Sequence, residues 1–279
     1  NMIPGNTYQR MLTDSLGTLH SSTSWTSITI PNDQVLIWFS DDQKGAFYVF
    51  KLPKVWRKYM AFSKPVPGAL FGSQKKLLYV AAAVIPMGWV SAVSLFQHLT
   101  RQLSLLPRYS GAQLNPLQEW RRDARLPLRI HAEHQEWFQH YLDDFDAPCL
   151  VQKDNAHAAL GVPSPILQER RLACAAHNIA WSKEKAIEGQ AVVERMGALV
   201  DGDLGTVGVP PTKVLQLIHF GLHVCSCELC HCKKLAIYLG RVIRCFEFRR
   251  PLMSLLNEVW SVSNWARSTR LNNEMLTEI

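Results

Sequence analysis

Two pairs of adjacent aspartates, Asp41–Asp42 and Asp143–Asp144, stand far apart in the chain, each at the end of an apolar run. Carboxylates brought together from different strands are what a two-metal phosphoryl-transfer site needs. One ion activates an attacking hydroxyl, the other neutralises the leaving pyrophosphate, and the acids bridge both. A single acidic pair is most often a solvated turn. Two pairs at strand ends, embedded in apolar sequence, point to shared chemistry.

The elements that must deliver these acids are legible in their flanks. Val35 to Phe39 (VLIWF) predicts a strand that ends at Asp41 and Asp42. His140 to Phe145 (HYLDDF), followed by Cys149, Leu150 and Val151, outlines a hairpin with its acids at the bend. Between them, Leu77 to Ile85 predicts a buried strand that runs into Pro86, Met87 and Gly88. Val93, Phe96, Leu99, Leu103 and Leu106 then recur at helical spacing. Pro107 to Leu128 reads as an irregular basic insertion. Ser164 and Pro165 are suited to the cap and first turn of a helix running to about His177. Farther on, Leu235, Leu239, Val242 and Phe246 share one helical face. Pro251 breaks the run, and Leu252, Leu255, Leu256, Val259 and Trp260 share the next.

These segments carry a resemblance. Tyr141, Leu142, Asp143 and Asp144 resemble the Tyr-x-Asp-Asp box of retroelement reverse transcriptases, and Asp42, Gln43, Lys44, Gly45, Ala46 and Phe47 resemble the earlier Asp-x-x-x-Ala-aromatic box. Pro86, Met87 and Gly88, with Ser91, Ala92, Phe96 and Gln97 after them, are similar to the Pro-x-Gly turn and helix between the two boxes. Ser182 to Lys185 resembles the short lysine motif. Met196, Gly197 and Ala198, with Val200 and Asp201, resemble the primer-grip hairpin, and Tyr238 to Arg241 opens something similar to a thumb.

The resemblance implies an α+β fold: a right-hand polymerase palm with an antiparallel sheet and flanking helices, then a helical thumb, with incomplete fingers. The implied division is residues 1–30 as partial fingers or a disordered lead-in, 31–205 as palm with part of the fingers, and 206–279 as connection and helical thumb. The implied activity is RNA-directed DNA synthesis in a retrotransposon, on an RNA or DNA template with a primer, from deoxynucleoside triphosphates. Asp42, Asp143 and Asp144 would hold two magnesium or manganese ions, Asp42 being chosen over Asp41 because Phe47 follows it by five residues. Lys185 would approach the leaving pyrophosphate. Phe47 would exclude a 2′-hydroxyl, and Gly88 would let the backbone come close to template and nucleotide. Gln43, Ala46, Pro86, Gln97 and Tyr141 complete the implied nucleotide and template contacts.

Two features depart from the family. Met87 stands where many members carry Gln, and only 41 residues precede Asp42, which implies a fragment with short fingers. No segment resembles an RNase H domain or a retroviral-type protease. Two rivals stay open. An RNA-dependent RNA polymerase usually has a second Asp where Phe47 stands and Gly where Leu142 stands. A non-catalytic, nucleic-acid-binding remnant of a retroelement would keep its acids and lack its fingers.

Other signals are weaker. Cys227 and Cys230 have the CxxC spacing of zinc sites, within a cluster that includes Cys225, His231 and Cys232, and free thiols are the favoured reading. His131, His134 and His140 match no common helical ligand spacing. Arg121, Arg122 and Arg125, and Arg244, Arg249 and Arg250, could track a phosphate backbone or form solvated faces. The net charge of +7 and a pI near 9.1 favour a polyanionic partner. The polar start lacks the apolar core of a secretory signal, and no apolar run is long enough to span a bilayer. Seven cysteines, an odd number, favour a reducing compartment, cytoplasm or nucleus.

Overall fold

In the computed structural model, residues 22–86, 89, 91–105, 114–121, 136–227, 230–259 and 268–269 are described. The expectations about the lead-in up to residue 21, Met87 and Gly88, Arg122, Arg125, His131, His134 and Trp260 lie outside them. The described chain divides into two units, one within residues 37–190 and the other formed by 22–36 and the residues from 191 onward.

The first unit is built around strand β1 (Gln34–Asp42), of which residues 37–42 fall within it, and whose apolar and aromatic run is buried along nearly its whole length. A strand buried on both faces needs such a run rather than an alternating one. With β4 (Gln139–Tyr141), β5 (Asp144–Asp146), β6 (Cys149–Gln152) and β7 (Ile187–Gln190) it forms a five-stranded sheet. The order is β4-β5-β1-β6, and β7 also pairs with β1. In the antiparallel register, Asp42 lies opposite Asp144, Ser40 opposite Asp146, and Tyr141 opposite Asp144. Asp41 and His140 both face Phe145. Side chains alternate across the pleat, so Asp42, Tyr141 and Asp144 share one face while Asp41, His140 and Phe145 share the other.

Helices α1 (Ala92–Leu105) and α2 (Pro165–Ala176) back that second face. The hydroxyl of Ser164 accepts from Leu167 N at 3.2 Å and Pro165 opens the first turn, so the cap expected for α2 is the one that forms. The helix expected from the spacing of Val93, Phe96, Leu99 and Leu103 forms as α1 with Phe96 buried, but its buried face also includes Gln97, Thr100, Arg101 and Ser104, while Val93 is exposed. Polar side chains can take a core face when partners satisfy them, and these have partners.

The segment Leu77 to Ile85 is not the buried strand its apolar run predicts. Only β3 (Leu77–Leu78) is regular, paired with β2 (Val66–Pro67), and Leu77 and Tyr79 are exposed. The rest pairs irregularly with residues 51–62, giving a two-armed ribbon rather than a strand of the main sheet.

In the second unit, β8 (Val192–Arg195), β9 (Ala198–Asp201) and β10 (Thr206–Gly208) form an antiparallel sheet. The β8–β9 turn consists of Met196 and Gly197, both with positive φ, the backbone twist two-residue hairpins favour. Helices α3 (Pro211–Cys225) and α4 (Cys232–Phe246) pack through a core that includes Val224, Leu235, Tyr238, Leu239 and Val242. At Gly221 a Cβ would sit 2.7 Å from the Tyr238 hydroxyl, so any other residue there would have to push the end of that side chain aside. After α4 the expected second amphipathic helix is largely a 3₁₀ segment, Glu247–Leu256, broken at Arg249 (φ −142°, ψ 63°) with Pro251 inside it. Leu252 and Leu255 are exposed.

Candidate active site

The β4–β5 hairpin turns through Leu142 and Asp143, with Leu142 in the left-handed region (φ 56°). A branched apolar residue pays for that conformation, so other contacts must hold it. Gln97 on α1 does so: its side-chain amide donates to His140 O at 2.9 Å and accepts from Leu142 N at 2.7 Å. Gln43 N donates to Asp143 O at 2.8 Å, tying the tip of the hairpin to the chain just past β1. Residues directly opposite in an antiparallel pair have Cβ atoms ~4.5–5.5 Å apart. Asp42 and Asp144 are therefore immediate neighbours, and Asp143 stands in the adjoining turn.

The segment after α2 brings a cation to the same place. Trp181 pairs with Gln43, Lys44 N donates to Ala180 O at 2.9 Å, and Ser182 N donates to Asp42 O at 2.8 Å. From the turn that follows, Lys185 Nζ reaches Asp42 Oδ2 at 3.1 Å. The hydrogen bond and charge of Asp42 raise the Lys185 pKa above its ordinary value, and the charges of Asp144 and Asp143 add to the shift. One exposed ammonium thus feels all three expected carboxylates.

Asp41 is occupied elsewhere. Arg171 on α2 meets it with two parallel hydrogen bonds of 2.9 Å each, gives a third of 2.6 Å to Glu188 on β7, and lies 5.2 Å over the Trp181 ring. The pleat thus separates the adjacent aspartates: Asp41 belongs to a structural ion pair, and Asp42 faces the hairpin acids. Asp146, also on the Asp42 face, is buried and accepts from Trp38 Nε1 at 3.0 Å.

Beneath the hairpin lies a buried polar network that the sequence did not disclose. Arg101 grips Glu119 with two hydrogen bonds of 2.6 Å. His140 places Nε2 3.0 Å from the Ser104 hydroxyl and Nδ1 3.5 Å from Glu119. Burial pushes the Glu119 carboxyl up, and the hydrogen bonds from Arg101 and His140 more than reverse this, leaving it at about 2. Burial pushes the His140 imidazole down and Glu119 pulls it partly back, leaving it at about 4. His140 is then neutral near pH 7, with Nδ1 facing Glu119 and Nε2 facing the Ser104 hydroxyl. The helical spacing of Gln97, Arg101 and Ser104 was a usable signal for a polar buried face. Nothing in the sequence named Glu119 or Arg171 as the partners.

Of the other expected contacts, Ala46 is buried, and the Phe47 ring is half-buried and stacked on Phe96 at 4.7 Å. Pro86 is half-buried, Tyr141 is half-buried beside Asp144, and Gly88 lies outside the described residues. Gln43 is buried, and neither polar atom of its side chain forms a hydrogen bond among the described residues. Arg244, read from the sequence either as tracking a phosphate backbone or as part of a solvated face, bonds Glu247, Ser22 and the carbonyl of Met196 within its own unit.

Asp42, Asp143 and Asp144 are the hard oxygen donors that magnesium or manganese takes. In type, and in the shared face of Asp42 and Asp144, they suit such an ion. Among the described residues, however, no three His, Cys, Asp or Glu side chains are gathered closely enough to hold a metal. The cation found against Asp42 is the Lys185 ammonium.

No family model matches the chain, and no curated protein does. Among solved structures it is similar to the foamy viral protease-reverse transcriptase in complex with an RNA/DNA hybrid, with a TM-score of 0.55 at 12% identity. The match covers 94% of this chain and 28% of that one. At that identity the likeness speaks for the fold: the chain has a mixed helix and antiparallel-sheet fold similar to part of a reverse transcriptase.

Proposed function

We propose that the chain is the palm and thumb region of a retrotransposon reverse transcriptase, which extends a primer on an RNA or DNA template with deoxynucleotides. The observation that carries this reading is the pairing of Asp42 with Asp144 across two strands, beside the turn that holds Asp143 and within reach of Lys185. When bound, two magnesium or manganese ions would activate the primer hydroxyl and stabilise the leaving pyrophosphate, and Asp42, Asp143 and Asp144 would hold them. Lys185 would supply positive charge, or a proton, to the leaving group. Phe47, braced by Phe96, would close the space a 2′-hydroxyl needs. The unsatisfied amide of Gln43 supports a polar ligand nearby, because an unpaired buried polar group costs about 1–3 kcal/mol. Pro86, Gly88 and Tyr141 stay in the proposal as contacts to nucleotide or template, whereas Gln97, fully buried with both ends of its amide engaged by the hairpin, supports the turn at Asp143 instead.

A second reading, a non-catalytic nucleic-acid-binding remnant, is favoured by the lack of a gathered three-ligand group among the described residues and by the ammonium on Asp42. Primer extension with manganese or magnesium, on RNA and DNA templates, separates the two. Extension that Asp143→Asn abolishes, however slow, establishes the polymerase. Retained primer–template binding with no extension under either metal, persisting when reverse-transcriptase fingers are joined to the chain, establishes the remnant.

A further inference from the structure

Between Asp42 and Glu119 the sequence contains no Asp or Glu, yet it carries ten Lys and Arg, more than the +7 of the whole chain, so the remainder is net acidic. The positive charge is therefore concentrated in the stretch that includes the two-armed ribbon. One arm runs from Lys51 to Pro67 and the other from Leu77 to Val84. They are tied by pairing of Lys51 with Val84, Ala61 with Ala81 and Val66 with Leu78, and by Phe62 N donating to Val80 O at 2.8 Å. At the tip, a Cβ on Gly68 would lie 1.8 Å from the Lys75 carbonyl, so glycine is required for the tip to fold back and present Lys75 and Lys76.

The ribbon also exposes rings that a folded protein usually buries. Tyr59, Phe62, Phe71 and Tyr79, with Tyr48 just before it, are each between 59% and 72% exposed. Single exposed aromatics are ordinary; several on one small element call for a partner. Cations alternate with them: Lys51, Lys54, Lys58, Lys64, Lys75 and Lys76 are exposed, and the Lys58 ammonium lies 4.9 Å over the Tyr59 ring. A protein partner matching the rings alone would strand the lysines. An anionic membrane would want one contiguous apolar face, whereas along the sequence Lys64 stands between Phe62 and Phe71, and Lys75 and Lys76 between Phe71 and Tyr79. Separated rings that stack on bases, interleaved with cations that follow phosphates, are how proteins hold single strands without reading sequence.

We propose that this ribbon, residues 51–85, binds single-stranded nucleic acid on its own, without divalent metal, primer or the carboxylate site. The test uses the full chain in EDTA and the fluorescence anisotropy of a labelled oligo(dT) of about 20 nucleotides, a length that exceeds typical single-strand sites. Lys75→Glu/Lys76→Glu should weaken binding and flatten the plot of log K against log salt by ~1.4, since each phosphate contact contributes ~0.7. Tyr59→Ala/Phe62→Ala should weaken binding by about 5- to 150-fold for each base unstacked, with the salt slope unchanged. These side chains are exposed, so circular dichroism should report an intact fold, and Lys75→Gln/Lys76→Gln gives a milder charge change. Wild-type affinity and slope in all three variants would overturn the proposal. So would variants that lose binding to phosphatidylserine vesicles but not to the oligonucleotide. Because the assay contains neither metal nor primer, its outcome is independent of whether the chain polymerises.

Discussion

Replacing Glu119 by Gln keeps the side chain's shape and removes its charge, leaving the buried Arg101 guanidinium without the carboxylate that holds it by two 2.6 Å hydrogen bonds. Removing one partner of a buried ion pair costs about 3–5 kcal/mol. Titration gives a second route to the magnitude. Glu119 sits at about 2 against an ordinary 4.5, and at about 1.4 kcal/mol per pH unit this favours the ionised fold by roughly 3 kcal/mol. Because the folded value lies below the unfolded one, this contribution is complete above pH 4.5 and is lost as pH falls through about 2. His140, neutral in the fold at about 4 against 6.5, adds an earlier loss as pH falls from 6.5 through about 4. Glu119→Gln should abolish the lower window and deepen the upper one, since it removes the anion that pulls His140 back up. Urea unfolding followed by tryptophan fluorescence at pH 7 should show the midpoint falling by about 1–2 M for a protein of this size. A change under about 0.5 kcal/mol at pH 7, or an unaltered acid limb, would show that water already solvates this pair.

Three further outcomes are expected. Asp143→Asn should eliminate primer extension while leaving primer–template affinity within about twofold, as gel shift would show, since no core packing is lost. Phe47→Val should remove the ring stacked on Phe96 and reduce discrimination against ribonucleotides by ~1–3 kcal/mol in a competition assay; an unchanged ratio in an active variant would assign the ring to packing alone. Gln97→Leu should orphan the His140 carbonyl and the Leu142 amide, costing about 1–3 kcal/mol for each in thermal unfolding, and slow any extension by loosening the turn at Asp143.

How far the fold could be read in advance depended on whether a segment's partners were local. β1 announced itself because a buried central strand must be apolar along its length. The α2 cap was legible because Ser164 and Pro165 act within one turn. The hairpin acids were legible because the turn and its flanks are contiguous. What stayed hidden was set by distant residues. Arg171 chooses between Asp41 and Asp42 from α2, and Glu119 makes Arg101 and His140 acceptable in a core, so apolar periodicity announced the helix α1 but not the polar part of its buried face. The run Leu77–Ile85 misled because apolar composition does not say whether a sheet exists to receive it.

The Asp41–Asp42 pair also bears on how β1 finds its place. A strand ending in two identical residues invites a slip of one position, since either acid could stand in for the other and every side chain would change face. Slide the strand one way and Arg171 meets Ser40 while Asp41 enters the hairpin face. Slide it the other way and Arg171 keeps an aspartate while Gln43 takes the place of Asp42. Only one alignment satisfies the forked guanidinium and also sets a carboxylate opposite Asp144. The doubled acid and its arginine thus act as a parity check, in which an ion pair on the far face certifies the position of the acid on the near one.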